Sequence, residues 1–155
     1  MERIYKAFRF AYETKYWIDN LISKYDKELQ RQLQNKLLTN IEADINKKYS
    51  DCLIGVSSTL TLNVTAGSII DLAIDKTKNL TTADWLKLAD EVEVEKIKIK
   101  DTTLKDSTPK VYISQETYNE LEHLQNKLRG NNPRVPKKTY VIKLAVYYLY
   151  KETFC

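Results

Sequence analysis

Residues suited to covalent chemistry are scarce and scattered along this chain. His123 is the only histidine, so the usual zinc ligand sets and histidine-based triads lack parts. Its setting, Leu121-Glu122-His123-Leu124, reads as a helix surface. Cys52 and Cys155 stand far apart, in no metal-ligand spacing. They read as reduced thiols, because a disulfide framework calls for more cysteines and a secretory signal. No glycine-rich phosphate loop and no spaced carboxylate pair is present. The expectation is therefore a protein that is not an enzyme, with no catalytic residue, no metal and no cofactor. What remains is anion chemistry. The run Arg134-Val135-Pro136-Lys137-Lys138-Thr139 sets cations and a hydroxyl beside a helix start, where free N–H groups and the positive dipole end favour an anion. Lysines there are unfavourable for the helix itself, a cost that makes sense if an anion occupies the site.

Charge points the same way. The net charge is +4, and all of it lies in the last third. Residues 1–104 hold 16 basic and 16 acidic side chains, whereas residues 105–155 hold nine and five. A local cationic surplus suits contact with a polyanion. A hydrophobic fraction of 43% with 30% charged residues describes a globular chain with a real core. No apolar run approaches the roughly 20 residues that cross a bilayer, and the N-terminus lacks a signal-peptide pattern. The expected setting is cytoplasmic, away from membranes.

The elements that must carry these groups are clearest in the last third. Lys110-Val111-Tyr112-Ile113-Ser114 alternates with the two-residue period of a half-buried strand, Val111 and Ile113 inward. Pro109 suits its start. Ser114 reads as an N-cap with Gln115 and Glu116 in the first turn, and Tyr118, Leu121, Leu124 and Leu128 make one apolar stripe. Gly130 is placed to end that helix in the left-handed C′ conformation. After a turn at Asn131-Asn132-Pro133, a second helix starts near Pro136 and buries Val141, Ile142, Ala145, Val146 and Leu149.

Strand, helix, turn, helix over Lys110–Leu149 resembles the ribbon-helix-helix superfamily, the class of the MetJ and Arc repressors. The stretch Thr139-Tyr140-Val141-Ile142-Lys143-Leu144-Ala145-Val146 is similar to that family's second helix; the loop Asn131–Pro136 is longer and richer in proline than the family's. Such a unit needs a partner for its strand and helices, and this chain offers one. Phe8-Arg9-Phe10-Ala11-Tyr12-Glu13-Thr14 aligns without a gap on Val111 to Thr117, with Ile18 on Leu121 and Leu21 on Leu124. Gly67-Ser68-Ile69-Ile70-Asp71-Leu72-Ala73-Ile74 aligns on Thr139 to Val146. The architecture resembles the tandem arrangement of the VirC2 family of plasmid-transfer systems. The expected fold class is thus mainly α with short β ribbons (α+β), a tandem ribbon-helix-helix pseudo-dimer with an extended first helix.

Three segments follow. Residues 1–78 form an N-terminal half with a long insertion, 79–106 a structured linker, and 107–155 the C-terminal half, the two halves making one compact unit. The insertion over 22–64 lengthens the first helix: Ile18, Ile22, Tyr25, Leu29, Leu33, Leu37, Ile41 and Ile45 keep a three-to-four spacing toward Tyr49. Unbroken, that helix would span about 50 Å. Its far end is expected to pack on Leu53–Val64 or on a second copy. In the linker, Thr81-Thr82-Ala83-Asp84 caps a short helix carrying Trp85, Leu86 and Leu88. Val92–Val94 and Ile97–Ile99 then alternate as a strand, which the run Thr59–Val64 is placed to join.

The resemblance implies double-stranded DNA as partner, with an antiparallel ribbon in the major groove. Its outward, base-contacting residues would be Tyr5, Ala7 and Arg9 on one strand and Thr108, Lys110 and Tyr112 on the other. Helix starts would hold phosphates through Lys137, Lys138 and Thr139 in one half and Thr65, Gly67 and Ser68 in the other. The implied role is a transcriptional regulator or a plasmid-transfer or partition accessory factor. The rival expectation is an antitoxin-like or adaptor module that binds a protein partner, or a second copy, through the long first helix.

Overall fold

The computed structural model describes residues 2–52, 55, 61–101 and 103–155. Among the described residues the chain is mainly helical with one short antiparallel sheet. In order it runs β1 (Arg3–Ala7), α1 (Tyr12–Gln34), α2 (Leu37–Lys48), α3 (Ala66–Lys76), α4 (Thr82–Glu95), a 3-10 turn at Lys96–Lys98, β2 (Lys110–Ser114), α5 (Gln115–Arg129) and α6 (Lys138–Phe154). Two compact units divide it: Met1–Ile22 with Thr65–Cys155, and Ser23–Val64.

The first unit holds the core. β1 and β2 pair antiparallel with Tyr5 opposite Tyr112 and Ala7 opposite Lys110. The pairing runs on past β1, because the Phe8 N–H donates to the Pro109 carbonyl and Phe10 bridges Ser107 in both directions. Pro109 serves this ribbon as an acceptor only, the one role its missing N–H leaves it. Phe8, Phe10, Val111 and Ile113 face inward and are buried. Beneath them α3 packs on α6, with Ile70, Ala73, Val141, Ile142 and Ala145 wholly enclosed. The alanines let these two helices approach closely, and each fully buried isoleucine contributes roughly 1.5–3 kcal/mol. Trp17, Ile18 and Leu21 of α1 and Leu121 and Leu124 of α5 join this core.

Local signals explain the helix ends. Ser114 caps α5 by accepting from the Thr117 N–H, and Gly130 ends it at φ +55°. Its ψ of −125° takes it beyond the left-handed helical basin, into backbone space that glycine tolerates best. α6 begins at Lys138, just past Pro136, whose carbonyl accepts from the Gln125 side chain.

The linker departs from expectation. The alternating run 92–99 is not a strand: α4 continues through Glu95 and turns into the 3-10 segment. A reciprocal capping box between Thr81 and Asp84 starts this helix, and Trp85, Leu88 and Val92 then fall on one buried stripe. Val94 and Ile97, two of the four apolar members of the alternation, lie off that stripe and are exposed. The expected pairing with 59–64 therefore has no strand to join on this side. Residues 59 and 60 of that run lie outside the described residues, and 61–64 have no regular structure.

In the second unit the expected continuous helix is broken. Lys36 adopts φ +65° between α1 and α2, and the helical bonding restarts with the Asn40 N–H on the Lys36 carbonyl. None of the residues of α2 is buried. Of the expected packing partner, Leu53–Val64, residues 53, 54 and 56–60 lie outside the described residues.

Candidate nucleic-acid interface

Strand alternation sorts the ribbon into two faces. Phe8, Phe10, Val111 and Ile113 enter the core; the outward residues are Tyr5, Ala7 and Arg9 on one strand and Thr108, Lys110 and Tyr112 on the other. All six are exposed. They form three rungs: Tyr5 opposite Tyr112 and Ala7 opposite Lys110, with the same register setting Arg9 opposite Thr108. The offset of 103 positions that lays Phe8 on Val111 also lays Ala7 on Lys110. That rung lies near the middle of the paired stretch, which runs from Arg3–Ser114 to Phe10–Ser107.

The rungs differ in chemistry. Tyr5 and Tyr112 stack at 4.5 Å between ring centres. Arg9 reaches Asp106 at 3.9 Å, with both side chains at least half exposed, a contact too loose and too wet to hold it. Lys110 is exposed at the middle rung. Arg3 and Ser114, one rung beyond the tyrosines, turn instead to α3. The Arg3 guanidinium lies 2.9 Å from Asp71 and also donates to the Tyr112 carbonyl. Asp71 accepts from the Ser114 N–H at 3.1 Å.

The starts of α3 and α6 flank the ribbon and are unlike. At α3, Thr65 and Ser68 cap each other reciprocally. Gly67 is buried, so close to β2 that a Cβ would fall 2.1 Å from the Tyr112 carbonyl oxygen. At α6, Lys137 is the N-cap residue, and no side chain caps the helix. Lys137, Thr139, Tyr140 and Lys143 line a hollow of about 160 Å³ together with Arg9 and Ala11. Burial raises the Tyr140 hydroxyl pKa, and the nearby Glu93 and Asp90 carboxylates add to that. Lys138 points elsewhere: its ammonium lies 5.0 Å from the Tyr118 ring centre and 3.7 Å from Glu122.

The structure thus brings the six ribbon residues onto one surface, with Arg9 beside Lys137 and Thr139. It sets Lys138 against α5, buries Gly67 against β2 and commits the Thr65 and Ser68 hydroxyls to capping, with Thr65 still exposed. Sequence reasoning missed the shielded pair of Lys143 and Glu13, 2.8 Å apart with Glu13 only 4% exposed at its side chain. The signal was a lysine inside the apolar run Val141-Ile142-Lys143-Leu144. Among the described residues, no group of three histidine, cysteine or acidic side chains gathers as metal ligands. Cys52 and Cys155 are free and exposed. No helix among the described residues is long and apolar enough to cross a membrane.

No protein-family model matches this sequence, and no curated protein or solved structure matches it.

Proposed function

We propose that this chain is a sequence-specific reader of double-stranded DNA, built as a tandem ribbon-helix-helix unit in which one chain supplies both halves. The observation that carries this reading is the ribbon centred on Ala7–Lys110. It pairs the two segments that the internal repeat equates, buries Phe8, Phe10, Val111 and Ile113 on its inward face and leaves six outward residues exposed. The packing of α3 on α6, the second pair of repeated segments, supports it. A two-stranded ribbon fits the major groove. There Arg9 and Lys110 would meet guanine O6 and N7, while Ala7 and the tyrosines meet thymine methyls. The open start of α6, with Lys137 and Thr139, would hold a backbone phosphate beside Arg9. Such a reader serves as a transcriptional regulator or as a plasmid-transfer or partition accessory factor, and needs neither metal nor catalytic residue.

Fluorescence anisotropy on duplexes from the protein's own locus tests this. Arg9→Ala and Lys110→Ala should each weaken the preferred duplex by roughly 1–3 kcal/mol and random duplexes less. Equal losses on both would reassign them to the phosphates.

A second reading, an adaptor that engages a protein partner, has one observation in its favour. α2 carries Leu37, Ile41 and Ile45 at helical spacing yet buries none of them. On that reading the ribbon face is dispensable, and changing it alters no binding.

A further inference from the structure

The two ends of the outward ribbon face carry different recognition chemistry. At one end stands the Tyr5–Tyr112 stack, the two residues 70% and 43% exposed. At the other stands Arg9, its side chain 78% exposed, opposite Thr108. The cation one rung past the tyrosines, Arg3, is already engaged by Asp71, the Tyr112 carbonyl and the Tyr112 ring. The tyrosine end therefore presents rings and hydroxyls, and the far end presents a guanidinium. A guanidinium forks onto the two acceptors of guanine, which a single phenol hydroxyl cannot do; a ring face instead packs on the thymine methyl. Two residues of a strand advance about 6.7 Å, close to two base steps of about 3.4 Å, so three rungs cover about five base pairs.

Resting on the DNA reading above, we infer that the recognised duplex is directional rather than palindromic. Arg9 reads a G·C pair at one end of the element. About four base steps away, the Tyr5–Tyr112 stack reads an A·T pair through its thymine methyl. Lys110 and Ala7 lie over the middle. The linked chain makes this possible, because a symmetric homodimer would present the same residue at both ends.

Selection from a random duplex library tests the inference, using the full chain as wild type, Arg9→Ala and the double variant Tyr5→Thr/Tyr112→Thr. Threonine keeps strand propensity, and matched thermal melts confirm that the variants fold. The wild type should enrich an asymmetric consensus. Arg9→Ala should lose the guanine preference by roughly 10- to 100-fold while keeping the A·T end. Replacing that thymine with deoxyuridine should weaken wild-type binding about fourfold, the value of one buried methyl. The same replacement should leave the double variant unmoved. A palindromic consensus, or an equal uracil effect in both proteins, would overturn the inference. A wild type that enriches no duplex would overturn the DNA reading itself, and that outcome is visible before any variant is compared.

Discussion

Gly67 at the start of α3 lies against the backbone of Tyr112 on β2, and any Cβ there would fall 2.1 Å from the Tyr112 carbonyl oxygen. The obstacle is backbone rather than a flexible side-chain tip, so either the helix or the ribbon must move. Gly67→Ala should lower stability by roughly 1–3 kcal/mol or more, seen as a fall in the urea midpoint. Ser68→Ala, next along the helix, removes a capping contact and should cost only about 1 kcal/mol. If Gly67→Ala melts like the wild type, the close approach of α3 to the ribbon is wrong.

The Glu13–Lys143 pair ties α1 to α6 across 2.8 Å with both side chains largely shielded. Lys143→Met alone strands a shielded carboxylate and should cost roughly 3 kcal/mol or more. Adding Glu13→Gln should restore much of that loss, giving a large coupling in a double-mutant cycle. Additive single effects would mean the two groups do not meet.

Alkaline stability should depend on Tyr147. Burial pushes its hydroxyl pKa up to about 12, with the Glu95 and Glu91 carboxylates adding to the effect. A folded pKa above the unfolded value of about 10 means the folded state holds the proton longer. The stabilisation is therefore complete below a pH of about 10 and lost as pH rises through the folded pKa. Tyr147→Phe should flatten the fall of the unfolding midpoint over that interval; an unchanged slope would place the effect elsewhere.

The lysines at α6 should behave unequally. Lys137→Gln should reduce affinity on all duplexes alike and flatten the slope of log affinity against log salt by about one unit. Lys138→Gln should do less, since its ammonium is engaged by Tyr118 and Glu122. Matching salt effects from both would contradict the placement of Lys138 against α5.

Much of this arrangement was legible in the residues, for identifiable reasons. The two-residue alternation around Val111 and Ile113 revealed both the strand and its buried face, and the repeat at Phe8 and Phe10 revealed its partner. Ser114, Thr81 and Gly130 marked helix ends by the chemistry of capping. The misreadings share one cause, since apolar spacing alone was asked to decide. In 92–99 alternation mimicked a strand, although the Trp85–Leu88–Val92 stripe already belonged to a helix. Leu33 and Leu37 keep helical spacing across the left-handed Lys36, so the break left no trace in the pattern. The engagement of Arg3 by Asp71 and of Lys138 by Glu122 depends on tertiary proximity, which no local pattern encodes.

On the proposed function, the outward ribbon face meets double-stranded DNA. The direct measurement is a titration of duplex into isotope-labelled protein, followed through backbone amide resonances. The largest shifts should map to residues 5–9, 108–112 and the start of α6 around Lys137–Thr139, with α2 undisturbed. Shifts concentrated in α2, or none on the ribbon at saturating duplex, would contradict it.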